Sequence, residues 1–238
     1  MSSRRCDYDH EPAWQRIAER GGVGWDDLSD DGSATESYAS FERFVASSTF
    51  ADLVASARGR RPRSLEVGCG GGQLPIRLAR LGFEAWGIDF AETAIALARR
   101  NAEAAGVEAT FLRGDCLAMG GVPELRGQRF DLAVDNHFLH CVVEPDARDR
   151  VVRDLFERCR PGALVFCETM TSDLPLDHVR FRVDPSTGID HHRTRYLAPA
   201  AELVDLWTGA GFELSSQRTT QLREGEPADW SAILRRPT

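Results

Sequence analysis

Apolar positions in this chain follow two alternating rhythms. Short, nearly continuous apolar runs of strand type stand at 63–67, 84–89, 109–113, 130–135 and 163–169. Between them, apolar residues recur every three or four positions, as in a helix with one buried face. Leu74, Leu78 and Leu81 make one such face, stopped by Gly82. A second helix is predicted over 92–105 with Gly106 as its stop, and a third over 145–160 with Pro161-Gly162 as breaker. A helix over 198–208 and strands over 211–214 and 229–235 complete the pattern. Ahead of the first strand, helices are predicted over 12–20 and 37–57, the latter with Phe41, Phe44, Val45, Leu53 and Val54 apolar. Strands alternating with helices predict one large α/β domain, which 238 residues accommodate together with an appendage.

The first strand runs into Glu66-Val67-Gly68-Cys69-Gly70-Gly71-Gly72, a tight turn opening a helix. Such a turn presents backbone N–H groups to a ligand with no side chain in the way. A dinucleotide fingerprint would need a glycine at position 73, where Gln73 stands. Glu66, two residues before the first glycine, would repel a phosphate and attract an ammonium. The ligand should therefore be partly cationic, like the amino-acid end of S-adenosylmethionine (SAM). Asp89 closes the second strand at the spacing where a carboxylate takes both hydroxyls of a ribose. Phe90 follows it and can lie against an adenine.

Glu66, Gly68, Gly70 and Gly72 resemble the first motif of the class I SAM-dependent methyltransferases. The resemblance covers 63–170 well and continues through the last helix and strands. It implies a three-layer α-β-α sandwich with a seven-stranded, mostly parallel sheet whose last strand is antiparallel. It also implies SAM as cofactor, with Asp115 accepting from the adenine amino group and the backbone N–H of Cys116 meeting a ring nitrogen. The end of the fourth strand, Asp135 to Cys141, would lie beside the reactive methyl group, with Asp135 among the cofactor contacts. His137 and His140 there are the candidate general bases, since an imidazole exchanges protons near neutral pH. The function implied is methyl transfer to a small-molecule acceptor through nitrogen, oxygen or sulfur. Two alternatives use the same cofactor motifs: a SAM-consuming cyclisation or lyase reaction giving methylthioadenosine, and a non-catalytic SAM-binding module.

Residues 1–57 are expected to form a helical cap over the ligand crevice, with 58–238 as the SAM-binding domain. Tyr8, Trp14, Trp25 and Tyr38 are candidate walls of a substrate pocket. Residues 171–196 form a substrate-side insertion, in which Arg193, Arg195 and Tyr196 would favour a carboxylate-bearing acceptor. The net charge of −8 argues against a nucleic-acid partner, and the basic run Arg58, Arg60, Arg61 and Arg63 reads as a solvated linker. The six cysteines include no C-x-x-C pair and read as reduced thiols of a cytoplasmic protein. His137, His140, Cys141, Asp190, His191 and His192 offer metal-ligand types but no recognised spacing, so no metal is expected. No stretch reaches the ~20 apolar residues that span a bilayer, and the protein is expected to be a monomer or homodimer.

Overall fold

In a computed structural model of the chain, the structure describes residues 10–28, 38–173, 182–184, 186–190, 192–221 and 228–238. Tyr8, Cys6, Arg180 and His191 lie outside them. Seven strands, β1 (Arg63–Val67), β2 (Glu84–Asp89), β3 (Ala109–Arg113), β4 (Phe130–Asn136), β5 (Cys159–Thr171), β6 (Glu213–Thr220) and β7 (Ala228–Arg235), form one sheet in the order β3-β2-β1-β4-β5-β7-β6. β7 runs antiparallel to both β5 and β6, and the other pairings are parallel. Strand order reverses between β1 and β4, so the crevice of this doubly wound sheet opens at their carboxyl ends. Val67 leads into the glycine turn at one end, and Asn136 into His137 at the other.

Helices α4 (Gln73–Arg80), α5 (Glu92–Ala105), α6 (Pro145–Arg158) and α7 (Ala200–Gly209) are the crossovers that the apolar periods predict. β1 and β4 are buried on both faces, and the hydrophobic core lies between these strands and the helices. The strand-like β5 begins four residues earlier than expected. Pro161-Gly162 does not break it, because the irregularity is taken up by a register shift against β4 between Phe130 and Leu132.

The N-terminal region departs from expectation in three ways. Its second helix is two: α2 (Ala39–Val45) ends, and Ser47 caps α3 (Ser48–Ser56) by accepting from the Phe50 N–H at 3.2 Å. These helices also have a sheet role. Phe41 and Phe44 pack on Phe166 of β5 at ring distances of 5.2 and 5.6 Å, and Phe50 stacks on Phe83. Among the described residues of this region, His10, α1 (Glu11–Glu19), the turn after it and Tyr38 are the parts that reach the crevice. Finally, the arginine run is fastened rather than solvated. Arg60 grips Asp131 with both guanidinium nitrogens, and the Arg63 guanidinium lies over Trp86 and Phe130. Asp131 needs that cation, since it opens β4 beside the start of β1 and also accepts from the Arg63 N–H at 2.8 Å.

Candidate active site

A cavity of about 1010 Å³ occupies the crevice. Its floor is the glycine turn. Gly68, Gly70 and Gly72 have φ of 63°, 49° and 81°, in the left-handed region that side chains avoid. A Cβ at Gly68 would stand 2.6 Å from the Phe138 ring, one at Gly70 2.6 Å from Trp14, and one at Gly72 2.7 Å from Phe111. Gly71, which the glycine spacing did not single out, is equally constrained: a Cβ there would come within 2.2 Å of the Val23 carbonyl oxygen. That carbonyl accepts from Gln73 at 2.7 Å and Asn101 at 2.8 Å, stitching the turn after α1 onto the glycine turn.

Glu66 projects from β1 into the cavity at 4% exposure, and one carboxylate oxygen is buried without a hydrogen-bond partner. Burial raises its pKa well above the usual carboxylate range, and the charges of Asp135 and Asp89 add to this. Asp89 accepts from the Gly70 N–H at 3.0 Å through one oxygen and from the Ala91 N–H at 2.9 Å through the other. Each oxygen keeps a lone pair for a further donor. Phe90 is 42% exposed at the cavity rim, edge-on to His10. Asp115 and Cys116 follow β3 on the same wall, where the Asp115 carboxylate fixes the turn by accepting from the Leu117 N–H at 2.8 Å. The buried, unpartnered Glu66 oxygen, the bare turn and Asp89 therefore fit the ammonium, carboxylate and ribose groups of SAM respectively.

Asp135 is placed differently from expectation. It does not line the cavity; it is buried, and one oxygen accepts from the Phe138 and Leu139 N–H groups at 3.0 and 3.2 Å. Burial pushes its pKa up to about 6. Its work is to hold the turn after β4, which carries both histidines.

That turn sorts the two histidines. His140 is 4% exposed, and its Nδ1 receives the Met170 N–H at 3.3 Å and lies 3.2 Å from the Thr169 hydroxyl. Burial drives its pKa well below the usual imidazole range, with the Arg195 charge adding to the effect. A neutral ring whose Nδ1 accepts carries its proton on Nε2, so His140 is a hydrogen-bond donor rather than a base. His137 has a φ of 64°, unusual for a residue with a side chain, and its N–H is clamped to the Glu168 carbonyl oxygen at 2.7 Å. The imidazole lines the cavity 5.6 Å from the His140 ring, with Asp229 Oδ1 3.9 Å from its Nδ1.

Of the other expected substrate contacts, Trp14, Trp25, Tyr38 and Arg195 line the cavity. Trp14 and Trp25 pack together at 5.4 Å. Tyr196 does not line it: its hydroxyl donates to Glu202 and its ring lies 3.6 Å from the Arg148 guanidinium carbon. Arg193 is likewise absent from the lining. The physical reason is Asp190, a buried carboxylate that accepts from the N–H groups of His192, Thr194 and Arg195 and winds the loop so that Arg195 lines the cavity while Arg193 and Tyr196 do not. Sequence reading missed His10, Gln15, Asn136 and Met170 on the cavity wall, none of which carries a motif of its own.

Residues 65–162 match the family model described as a methyltransferase domain. Curated relatives include a ubiquinone biosynthesis O-methyltransferase of Ruegeria pomeroyi, 30% identical over 63% of this chain and 60% of that protein. One of Cereibacter sphaeroides is 33% identical over 50% of this chain and 45% of that protein. The chain thus spans about half to three-fifths of the length of these relatives. Among solved structures, magnesium protoporphyrin IX methyltransferase from Synechocystis with bound SAH is similar at a TM-score of 0.67, with 18% identity over 97% of both chains. A Burkholderia thailandensis 1,6-didemethyltoxoflavin-N1-methyltransferase is similar at 0.60, with 18% identity over 100% of this chain and 94% of that one. Residues 65–162 thus match a methyltransferase domain, and the sheet shares the fold of methyltransferases solved with SAM or SAH bound.

Proposed function

We propose that the protein transfers a methyl group from SAM to a small-molecule acceptor held between His137, His140, Met170 and Arg195. The observation that carries this reading is one continuous cavity with a buried Glu66 carboxylate, one oxygen of it without a hydrogen-bond partner, at its cofactor end and two histidines at the other. SAM supplies an electrophilic methyl group on a sulfonium. The residues of the chain do the rest by placement. Glu66 and the bare turn fix the amino-acid end, Asp89 the ribose, and Asp115 with Phe90 the adenine. The acceptor is then held in line with the methyl, a positioning effect worth ~7–11 kcal/mol in favourable cases. His140 donates from Nε2 to orient the acceptor, and His137, backed by the Asp229 and Glu168 carboxylates, receives its proton. Arg195 selects acceptors that carry a carboxylate. Residues 10–25 act as the cap, since they are bonded to the glycine turn and place Trp14 and Trp25 over the cofactor end.

The net charge of −8 and the aromatic-walled cavity favour a small molecule over nucleic acid. Among the described residues, no helix is long and apolar enough to cross a membrane. Incubating the protein with SAM and a panel of aromatic and carboxylate-bearing hydroxyl, thiol and amine compounds tests the reading. The expected product is acceptor-dependent S-adenosylhomocysteine. Methylthioadenosine from SAM alone would replace methyl transfer by an intramolecular reaction, and tight SAM binding without turnover on any acceptor would make the protein a binding module.

A further inference from the structure

His137, Glu168 and Asp229 converge from three strands. His137 directly follows β4, Glu168 sits in β5 and Asp229 in β7. In the antiparallel β5–β7 pairing Asp229 lies opposite Met170, two residues beyond Glu168, so both acids project from the same face of the sheet. One ligand atom from each of the three residues lies within 4.8 Å of the others. Glu168 is only 4% exposed, and its Oε2 is buried without a hydrogen-bond partner. Its carboxylate has a side-chain hydrogen bond with Ser40, and the Arg43 charge acts on it from the same helix. His137 Nδ1 is also buried without a hydrogen bond, because 3.9 Å to Asp229 is too long for one. Two orphaned polar atoms facing a common point are costly unless something binds between them.

We propose that His137 Nδ1, Glu168 Oε2 and an Asp229 carboxylate oxygen form a binding site for a first-row divalent cation. One imidazole nitrogen and two carboxylate oxygens, without a thiolate, suit Mn²⁺, Fe²⁺ or Zn²⁺. Ligand bonds of ~2.0–2.2 Å at tetrahedral angles place donor atoms about 3.4 Å apart, so the site closes by side-chain shifts of up to about 1 Å, within reach of rotamer adjustment. The left-handed backbone at His137 is what turns its ring toward the two acids. Three protein ligands leave coordination positions open beside the cavity that His137 lines. This departs from the sequence expectation of no metal, since Glu168 and Asp229 stand far from His137 along the chain. The role of the cation rests on the proposed methyl transfer: it would lower the pKa of a bound acceptor hydroxyl, whose proton leaves to solvent water so that the oxygen attacks as an alkoxide or phenolate, and His137, its Nδ1 on the cation, would then serve as ligand in place of base.

The site itself is tested without SAM or acceptor. The full chain, stripped with a chelator, is dialysed against Mn²⁺ and separately Zn²⁺, and bound metal is counted, with the Mn²⁺ signal read by electron paramagnetic resonance. One equivalent is expected for the wild type, with affinity weakened more than tenfold in both Glu168→Gln and Asp229→Asn. Stripped Glu168→Gln should melt no lower than stripped wild type, since it replaces a buried carboxylate, one of whose oxygens has no hydrogen-bond partner, by a neutral amide that can keep the Ser40 contact, and this shows that lost binding is not lost folding. Failure of the wild type to bind one equivalent of either cation overturns the site, as does wild-type affinity in either folded variant. Because no turnover is measured, failure of the methyl-transfer reading leaves this result standing.

Discussion

The two ends of the cavity are built on different principles. At the cofactor end, recognition belongs to the backbone: three glycines at positive φ, a turn with no room for a Cβ, and two acids at adjacent strand ends. At the acceptor end it belongs to side chains brought together from β4, β5, β7 and the loop after β5. A backbone-built site tolerates little substitution, because a Cβ is a fixed obstacle. A side-chain-built site can be retuned one residue at a time. The comparison predicts large, all-or-none losses at the first end and graded changes in acceptor choice at the second.

The largest effect should come from Gly68→Ala. Alanine there must adopt the left-handed backbone, costing ~1–2 kcal/mol, and its methyl meets the Phe138 ring. Overpacking of that kind adds ~1–3 kcal/mol. Phe138 belongs to the turn that carries both histidines, so the damage crosses from one end of the cavity to the other. Denaturant unfolding should show a loss of ~2–5 kcal/mol together with lost SAM binding. A stable variant that binds SAM normally would break the claim that the cofactor end is fixed by its backbone.

The same contrast explains what the sequence disclosed. Strands β2 and β3 and helix α5 appear at their expected limits, because each is short, strongly periodic and bounded by an acid or a glycine. Glu66, the glycines, Asp89 and Asp115 are local to strand ends, and a strand end has only one place to go in this topology. Tyr196 and Arg193 were not legible in the same way. Which way their side chains turn is decided by Asp190 and by the Arg148–Tyr196–Glu202 contact, and loop sequence does not encode that geometry in any period. The cluster of Glu168 and Asp229 with His137 depends on strand register between β5 and β7, which pairs positions some 60 residues apart. Asp135 reads as a ligand from its position alone, and only the hydrogen bonds it accepts show it to be a turn-holder.

A smaller effect is expected from the charge at the cofactor end. Burial raises the pKa of Glu66, as it does that of Asp89. A carboxyl group whose folded-state pKa lies above its unfolded value binds a proton more tightly in the folded protein. Stability without SAM should therefore rise as pH falls through the raised folded-state pKa and down to the ordinary carboxylate range. SAM, whose ammonium pairs with ionised Glu66, should bind more weakly over the same fall. Glu66→Gln should remove most of the SAM-affinity trend, leave in the stability trend the share of Asp89 and Asp135, and lower SAM affinity by ~1.5–3 kcal/mol, the range for a hydrogen bond to a charged group. Denaturant midpoints and calorimetry across this pH range check the sign. SAM affinity independent of pH in the wild type would show that Glu66 does not hold the ammonium.

The smallest effect is the sharpest probe of the acceptor end. Arg195 reaches the cavity because Asp190 holds its backbone N–H at 2.7 Å, and its Nη1 donates to the Thr194 carbonyl oxygen at 2.9 Å. The guanidinium is thus held near the chain at the cavity wall, and its planar fork is the group that pairs best with a carboxylate. Arg195→Gln keeps a polar side chain but removes the charge and the paired donors. For an acceptor bearing a carboxylate, KM should rise about tenfold, or ~1.4 kcal/mol, with kcat little changed. For the corresponding amide or ester, wild type and variant should have similar KM, and SAM affinity should be unaltered in both. An equal rise in KM for charged and neutral acceptors would mean that Arg195 shapes the wall without reading the carboxylate. The acceptor end would then share the shape-fixed character of the cofactor end, and the contrast between them would fail.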